Sequence, residues 1–510
     1  MEVIYLNAEG SDLDVWRKIY SSKVEIKLTQ GAWASIDAAA KVLREFVETK
    51  KTIYGVTTGF GNFSNTLISP DELNELQSNL VLSNTVGVGA PLPDEIVRLA
   101  MTLKIATIAK GHSGVSRDVV TFFLKLIGED ALPVIPSQGS VGASGDLAPL
   151  AHMSAVLLGK GSIRFKGEIL PAEVVLPKLG LTPVVLGPKE GLSLLNGTQI
   201  STAIALASLF ETERLFRSAI VTGALSTEAT LGKLEAFDTR IHEIRRQKGQ
   251  ITVASALRAL LAPSGFRRES AHSGRVQDPY CIRCQPQVMG AILDLLKFAA
   301  TTLQLEGDAV TDNPLLFTET KEILSGGNFH AEPVAFAADI MAIAVSEIGG
   351  ISERRIAMLV DSTQSRLPPF LTKGTGIHSG FMTAQIVAAA LAAETKQRAN
   401  PASVDSIPTA ANFEDFVSMA THGARRVLDM VENVKSILAI ELLAAIEGCD
   451  HRGLEHGDRL GPLRDRVRQD VASMAYDRWF EPAIAAGKAF IDDGTVASIL
   501  THQDLEYLGS

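Results

Sequence analysis

Gly139-Ser140-Val141-Gly142-Ala143-Ser144-Gly145-Asp146-Leu147-Ala148-Pro149-Leu150 packs three glycines and two serines into seven residues and then turns apolar. Small residues let backbone approach backbone, and glycine permits dihedrals that other residues avoid. The plain reading is a tight loop entering a helix. A P-loop is excluded, because no Lys-Ser or Lys-Thr follows the last glycine. The dinucleotide fingerprint fails on spacing, which here is G-x-x-G-x-x-G. A nucleophile elbow fails because Asp146 stands where its last glycine belongs.

One chemistry does suit Ala143-Ser144-Gly145. If the chain bends back, the Gly145 nitrogen can attack the Ala143 carbonyl. Loss of two waters, one carrying the Ser144 hydroxyl, leaves 4-methylideneimidazole-5-one (MIO), an electrophile made from the chain itself. With its flanks, Gly142 to Leu150 resembles the prosthetic-group signature of the aromatic amino-acid ammonia-lyases. The resemblance implies a mainly α fold, a fumarase/aspartase-like bundle of long helices with a smaller mixed α+β N-terminal part. It also implies a homotetramer whose active sites combine residues of several subunits, and no external cofactor.

Composition sets bounds that agree. The chain has 510 residues, 46% of them hydrophobic, and a net charge of −10. No basic cluster stands out, so neither nucleic acid nor an anionic membrane is expected as a partner. Cys281, Cys284 and Cys449 suggest no disulfide framework, and a reducing cytoplasm is the simplest compartment. Cys281-x-x-Cys284 lacks a second pair, so no metal site is expected. The N-terminus has early acids and no signal-peptide core. No uninterrupted apolar run of membrane-spanning length is evident.

Residues 1–190 read as the mixed N-terminal part, 191–448 as the long-helix core and 449–510 as a C-terminal helical part. Residues 1–30 read as a strand or edge element, with Val24-Glu25-Ile26-Lys27-Leu28 alternating. Ile36, Ala39, Ala40, Leu43, Phe46 and Val47 recur at helical spacing. Two helical patterns over 71–110 are split by Gly87 to Pro91. Ser162 to Leu170 reads as a hairpin. A helix opens at Leu194-Leu195-Asn196-Gly197-Thr198-Gln199 and runs past 220. Val334–Leu359 and Met382–Lys396 are long helical patterns. Glu414 to Glu447 has no proline and a single glycine, which predicts one helix of about thirty residues. Leu463 to Phe480 reads as a further amphipathic helix.

The resemblance assigns roles residue by residue. Ile53 to Asn62 resembles the family's Tyr-Gly-x-x-Thr-Gly-Phe-Gly loop, which makes Tyr54 the catalytic base; a packed aromatic is the structural alternative. Leu-Asn-Gly-Thr-Gln at 195–199 places Asn196 toward the prosthetic group. Gln277-Asp278-Pro279-Tyr280-Cys281-Ile282-Arg283 resembles Gln-Asp-x-Tyr-x-x-Arg. It implies a catalytic Tyr280, a substrate-binding Gln277 and a carboxylate clamp at Arg283, whose planar fork suits that task. Gly327-Asn328-Phe329-His330 matches a segment in which Phe329 walls the pocket, and Ser352-Glu353-Arg354-Arg355 also matches. Leu76 to Asn84 resembles the substrate-binding segment that implicates Ser83 and Asn84. Histidine enzymes show Ser-His where this chain has Ser83-Asn84. They show Gln-Glu-Asp-His in place of Phe413-Glu414-Asp415-Phe416, so Glu414 leans toward histidine while the two phenylalanines make the region more apolar.

The expected activity is non-oxidative deamination of an aromatic L-amino acid, with histidine giving trans-urocanate and ammonia. A phenylalanine or tyrosine ammonia-lyase and an MIO-dependent aminomutase stand as alternatives. A fumarase-like lyase without the prosthetic group and a non-catalytic helical assembly are the readings outside this chemistry.

Overall fold

The computed structural model describes residues 2–49, 52–61, 65–261, 263–374 and 376–509. Asn62, at the end of the expected glycine-rich loop, lies outside them. Twenty α-helices dominate the described residues, and the strands form only small two- and three-stranded sheets. The expected mainly α fold, a bundle of long helices, is what the chain adopts.

Three long helices form the centre: Gln199–Ala229, Glu332–Val360 and Ala420–Arg452. In Gln199–Ala229 every residue but Arg214 is buried. That helix is rich in alanine, serine and threonine, so neighbouring helices approach closely. Its hydroxyls return to the preceding turn, as Ser208 does to Ile204 O (2.9 Å) and Thr227 to Gly223 O (2.8 Å). Glu441, fully buried, ties the three helices together. It accepts from Thr222 (2.9 Å), Ser226 (2.8 Å) and Ser352 (2.5 Å), and pairs with the guanidinium of Arg355. The family-like Ser352 to Arg355 segment therefore contributes a polar joint inside the bundle. One apolar core runs from Ile4 to Leu508, through all three stretches of the chain.

Several boundaries differ from the sequence reading. Residues 1–30 hold two parallel strands, Glu2–Leu6 and Val24–Leu28, with an unforeseen helix, Leu13–Ser21, between them. Asp12 caps that helix by accepting from Val15 N, and Leu13, Trp16 and Ile19 bury its inner face. The helix expected from Glu414 begins only at Ala420, because Glu414 is held in a bridge with Thr409 and Met419 takes a left-handed turn. The helix expected through Asn196 is interrupted there: Glu190–Leu195 ends, and Gln199–Ala229 begins after an extended Asn196 and a Gly197 at φ +123°. The helix expected over Leu463–Phe480 is Leu460–Asp470 alone, and a second one, Glu481–Asp492, follows. Between them Ala475 O is captured by Lys373 N and Thr372 Oγ1 (both 2.8 Å), which pulls the chain out of helical form.

Two helices, Gln285–Gly307 and Glu332–Val360, have the length and mean hydropathy of a membrane span, though charges interrupt each: Asp294 and Lys297 in one, Asp339 and Glu347 in the other. Both pack within the bundle. Glu332–Val360 carries the buried Arg355 pair, and most of its apolar residues lie inside the bundle, with Phe336 and Ile343 exposed. The predicted hairpin forms as Ser162–Phe165 and Glu168–Pro171. Lys166 and Gly167 at its tip both have positive φ (+53° and +84°), as a type I′ turn requires.

Candidate active site

The glycine-rich stretch lies at the end of the bundle, folded against three other segments. Ser418 Oγ donates to Gly142 O (3.0 Å), Met419 N to Val141 O (2.8 Å) and Ala331 N to Gly142 O (3.2 Å). Asp146, fully buried, is saturated by short contacts. Ser140 (2.8 Å) and Thr421 (2.7 Å) donate to one oxygen, Ser201 N (2.7 Å) and its hydroxyl (2.9 Å) to the other. Two remote pieces of chain, around Ser201 and Thr421, are thereby pinned to the residue just after the triad.

On the other side the triad meets the Asn196-Gly197 turn. Gly145 and Gly197 form a bridge, and Asp146 N donates to Gly197 O (2.8 Å). Gly145 has φ +75°, and a Cβ there would stand 2.1 Å from Gly197 O, so only glycine fits. The Asn196 amide is 3.5 Å from Ser144 O and donates toward it. Ala143 is buried, while Ser144 is half-buried and opens to a cavity. The bend, the glycine at 145 and the cavity-facing Ser144 hydroxyl fit the requirements for building MIO from these residues.

The Tyr54 loop is set by a small second core. Ile53 and Val56 bury against Val42, Leu43 and Phe46 of helix Gln30–Glu48 and against Leu316. Gln77, fully buried, links this loop to the helix before Asn196. Its amide donates to Gly55 O (3.2 Å) and its oxygen accepts from Leu192 N (3.0 Å). Tyr54 itself is half-buried, and Gly61 N donates to its phenolic oxygen (3.2 Å).

Glu414 approaches from the opposite side. Thr409 and Glu414 exchange two main-chain hydrogen bonds, and Thr409 Oγ1 donates to Glu414 Oε2 (2.7 Å). Between them Ala410, Ala411 and Asn412 all have left-handed φ, +49°, +54° and +65°. That backbone is costly for side chains with a Cβ, about 1–2 kcal/mol per residue. Strain of this kind concentrates at functional sites. The result is a Glu414 carboxylate hydrogen-bonded to the Ser144 hydroxyl.

Tyr54, Ala143, Ser144, Asn196, Phe329 and Glu414, all named from sequence, thus line one cavity of about 410 Å³. Sequence reading did not place Asn313, Ser325 and Gly326 on its wall. The signals were there in Asn313-Pro314 and in the glycines before Asn328. His330 and Phe416 also line it; their rings lie 6.2 Å apart at 21°, and His330 Nε2 is 3.1 Å from Phe416 O. Phe413 and Asp415 complete that side.

Arg283 and Gln277 line a different cavity, of about 610 Å³, with Asp238, Arg240 and Ile244. Tyr280 is 70% exposed, its ring 4.5 Å from the Arg283 guanidinium carbon. The Arg283 Nε is buried without a hydrogen-bond partner. Ser83 and Asn84 end helix Leu73–Asn84, where the Asn84 amide donates to Leu80 O (2.8 Å), and neither lines the Tyr54 cavity. Cys281, Cys284 and Cys449 carry free thiols.

The aromatic amino acid lyase family model matches residues 12–472. The chain belongs to that family. It is an enzyme, a carbon–nitrogen lyase. A histidine ammonia-lyase of Rhodospirillum rubrum is 51% identical over 514 positions, covering 100% of this chain and 99% of its own. The crystal structure of histidine ammonia-lyase from Trypanosoma cruzi superposes with a TM-score of 0.91 at 38% identity, over 99% of this chain and 96% of that one. Tyrosine aminomutase from Streptomyces globisporus superposes with a TM-score of 0.93 at 32% identity, over the full length of both. Family members thus share this bundle around differing chemistry.

Proposed function

We propose that this enzyme deaminates L-histidine to trans-urocanate and ammonia, using MIO formed from Ala143-Ser144-Gly145. The observation that carries the reading is the convergence of Tyr54, Ser144, Asn196 and Glu414 on one cavity. Ring closure joins the Gly145 nitrogen to the Ala143 carbonyl carbon. The first water takes the Ala143 oxygen with the amide hydrogens of Gly145 and Ser144. The second takes the Ser144 hydroxyl with its Cα hydrogen. The finished group supplies an electrophilic methylene that activates the amino-acid substrate for loss of its amine.

The other steps belong to side chains. Tyr54 removes the β-proton, and the Gly61 N–H faces the oxygen on which charge collects. The Asn196 amide, aimed at Ser144 O, steadies charge on the oxygen that becomes the ring carbonyl. Glu414 receives the substrate imidazole. A carboxylate against a phenyl ring would lack a hydrogen-bond partner, which is unfavourable in a closed pocket. The high identity to a histidine ammonia-lyase supports the same substrate. Arg283, with Gln277 and Tyr280, binds the substrate carboxylate. Its place outside the Tyr54 cavity, and its unpartnered Nε, favour delivery from a second subunit of a homotetramer. The free thiols suit a cytoplasmic enzyme.

Phe413 and Phe416 on the cavity wall favour one second reading, turnover of phenylalanine or tyrosine by elimination or by amino migration. The test is kcat/KM with histidine, phenylalanine and tyrosine, in wild type and in Glu414→Gln, with products identified. Histidine should lead, and Glu414→Gln should weaken it selectively. Faster release of cinnamate or coumarate, or formation of a β-amino acid, would replace the histidine reading.

A further inference from the structure

Lys104 lies in helix Asp94–Ala109 and is fully buried. A lysine so placed is uncommon, because an interior ammonium loses its hydration. Its contacts are two main-chain oxygens: Nζ donates to Asn196 O (2.6 Å) and to Ser193 O (3.1 Å). Both residues belong to the C-terminal end of helix Glu190–Leu195, with Asn196 as its cap. Carbonyls there have no onward helical partner and carry the negative end of the helix dipole, so a cation is their natural complement.

Charges of both signs surround Lys104. Asp312 and Asp146 attract it and Lys189 repels it, while burial lowers its pKa to about 7. Lys189, also buried, takes Asp312 as its own partner at 2.8 Å and donates to Ser193 Oγ (2.8 Å) and Ser113 O (3.0 Å). Asp312 is thus engaged by Lys189, and Lys104 remains committed to the turn.

That turn is the wall against which the triad is bent. The Gly197 carbonyl, one residue beyond Asn196, accepts from Asp146 N and presses on Gly145. The amide of the same Asn196 is aimed at Ser144 O. We propose that Lys104 is a positioning residue for the active site. By gripping the Asn196 and Ser193 carbonyls it holds the Asn196-Gly197 turn against Gly145, setting both the bend from which the triad cyclises and the aim of the Asn196 amide. The inference rests on the MIO reading above.

Lys104→Met keeps most of the side-chain length and removes the donors. Intact mass and peptide mapping then give the fraction of chains that have lost two waters across Ala143 to Gly145, and kinetics per matured site give kcat and KM. Lys104→Met should mature at least tenfold more slowly than wild type, and matured sites should lose at least tenfold in kcat with less change in KM. Lys104→Gln, which retains an N–H donor, should lie between the two and serves if the methionine variant does not fold. Leu103→Ala, a core truncation on the same helix, separates loss of stability from loss of positioning and should mature fully. Complete maturation and wild-type kcat in Lys104→Met or Lys104→Gln would overturn the proposal, as would maturation equally impaired in Leu103→Ala. A wild-type chain with no two-water loss would instead bring down the ring itself and this inference with it.

Discussion

Replacing Gly145 by alanine tests whether the bend, rather than the amide chemistry, limits ring formation. Alanine still offers a backbone nitrogen to the Ala143 carbonyl. Its Cβ, however, would stand 2.1 Å from Gly197 O and 2.5 Å from Gly197 C, well inside contact distance. The two chains must part by about an ångström, since real Cβ contacts stay beyond 3.0 Å. That separation breaks the 2.8 Å bond from Asp146 N to Gly197 O. Leaving such a buried pair unmade costs about 1–3 kcal/mol. Holding an L-residue at φ +75° adds about 1–2 kcal/mol. The bent form is then disfavoured by about 2–5 kcal/mol, which slows cyclisation by roughly one and a half to four powers of ten. Intact-mass time courses on freshly folded protein measure it directly. Gly197→Ala is the graded companion. Its φ of +123° is likewise strained for an L-residue, but its Cβ would meet the side chains of Gln199 (2.5 Å) and Thr311 (2.9 Å), which can move, so maturation should slow through backbone strain without the main-chain clash. Gly145→Ala protein that loses both waters at the wild-type rate would refute the reasoning.

Two further outcomes are expected. Tyr54→Phe should lower kcat by at least about a hundredfold while leaving the two-water loss and the fold intact, as for loss of a positioned proton-transfer group; near-wild-type turnover would remove Tyr54 from the mechanism. Glu441→Gln leaves the Arg355 guanidinium without its counter-charge inside the bundle and should destabilise by about 3–5 kcal/mol, read from the denaturant midpoint; an unmoved midpoint would show that the hydroxyls of Thr222, Ser226 and Ser352 suffice.

The long helices were legible because their signals are local. Glu332–Val360 and Met382–Arg398 are continuous runs of helix-forming residues, and the Ser162–Pro171 hairpin announces its own turn. The ends were less legible, because remote partners decide them. Nothing near Glu414 in sequence reveals that Ser144, 270 residues away, together with a bridge back to Thr409, holds it outside the following helix. The cavity residues split along the same line. Tyr54, the triad, Asn196, Phe329 and Glu414 sit in segments whose resemblance is strong, and the fold gathers them. Asn313 and Ser325 sit in a turn and a loop that Asn313-Pro314 and the glycines before Asn328 announce, but which cavity those reach depends on the packing of remote segments. That Arg283 and Gln277 face a different cavity could not be read from spacing at all.

The segment from Thr409 to Thr421 bears on redesign. Its first half presents Phe413, Glu414 and Phe416 to the cavity, and its second half, through Ser418, Met419 and Thr421, grips the glycine-rich loop. A library that randomised the whole segment to broaden substrate range would mostly recover inert chains, whatever new pockets it built, because the loop would no longer be held for ring closure. Variation confined to 413 and 416, screened first by mass for completed maturation and only then for turnover, would separate changed preference from an electrophile that never formed.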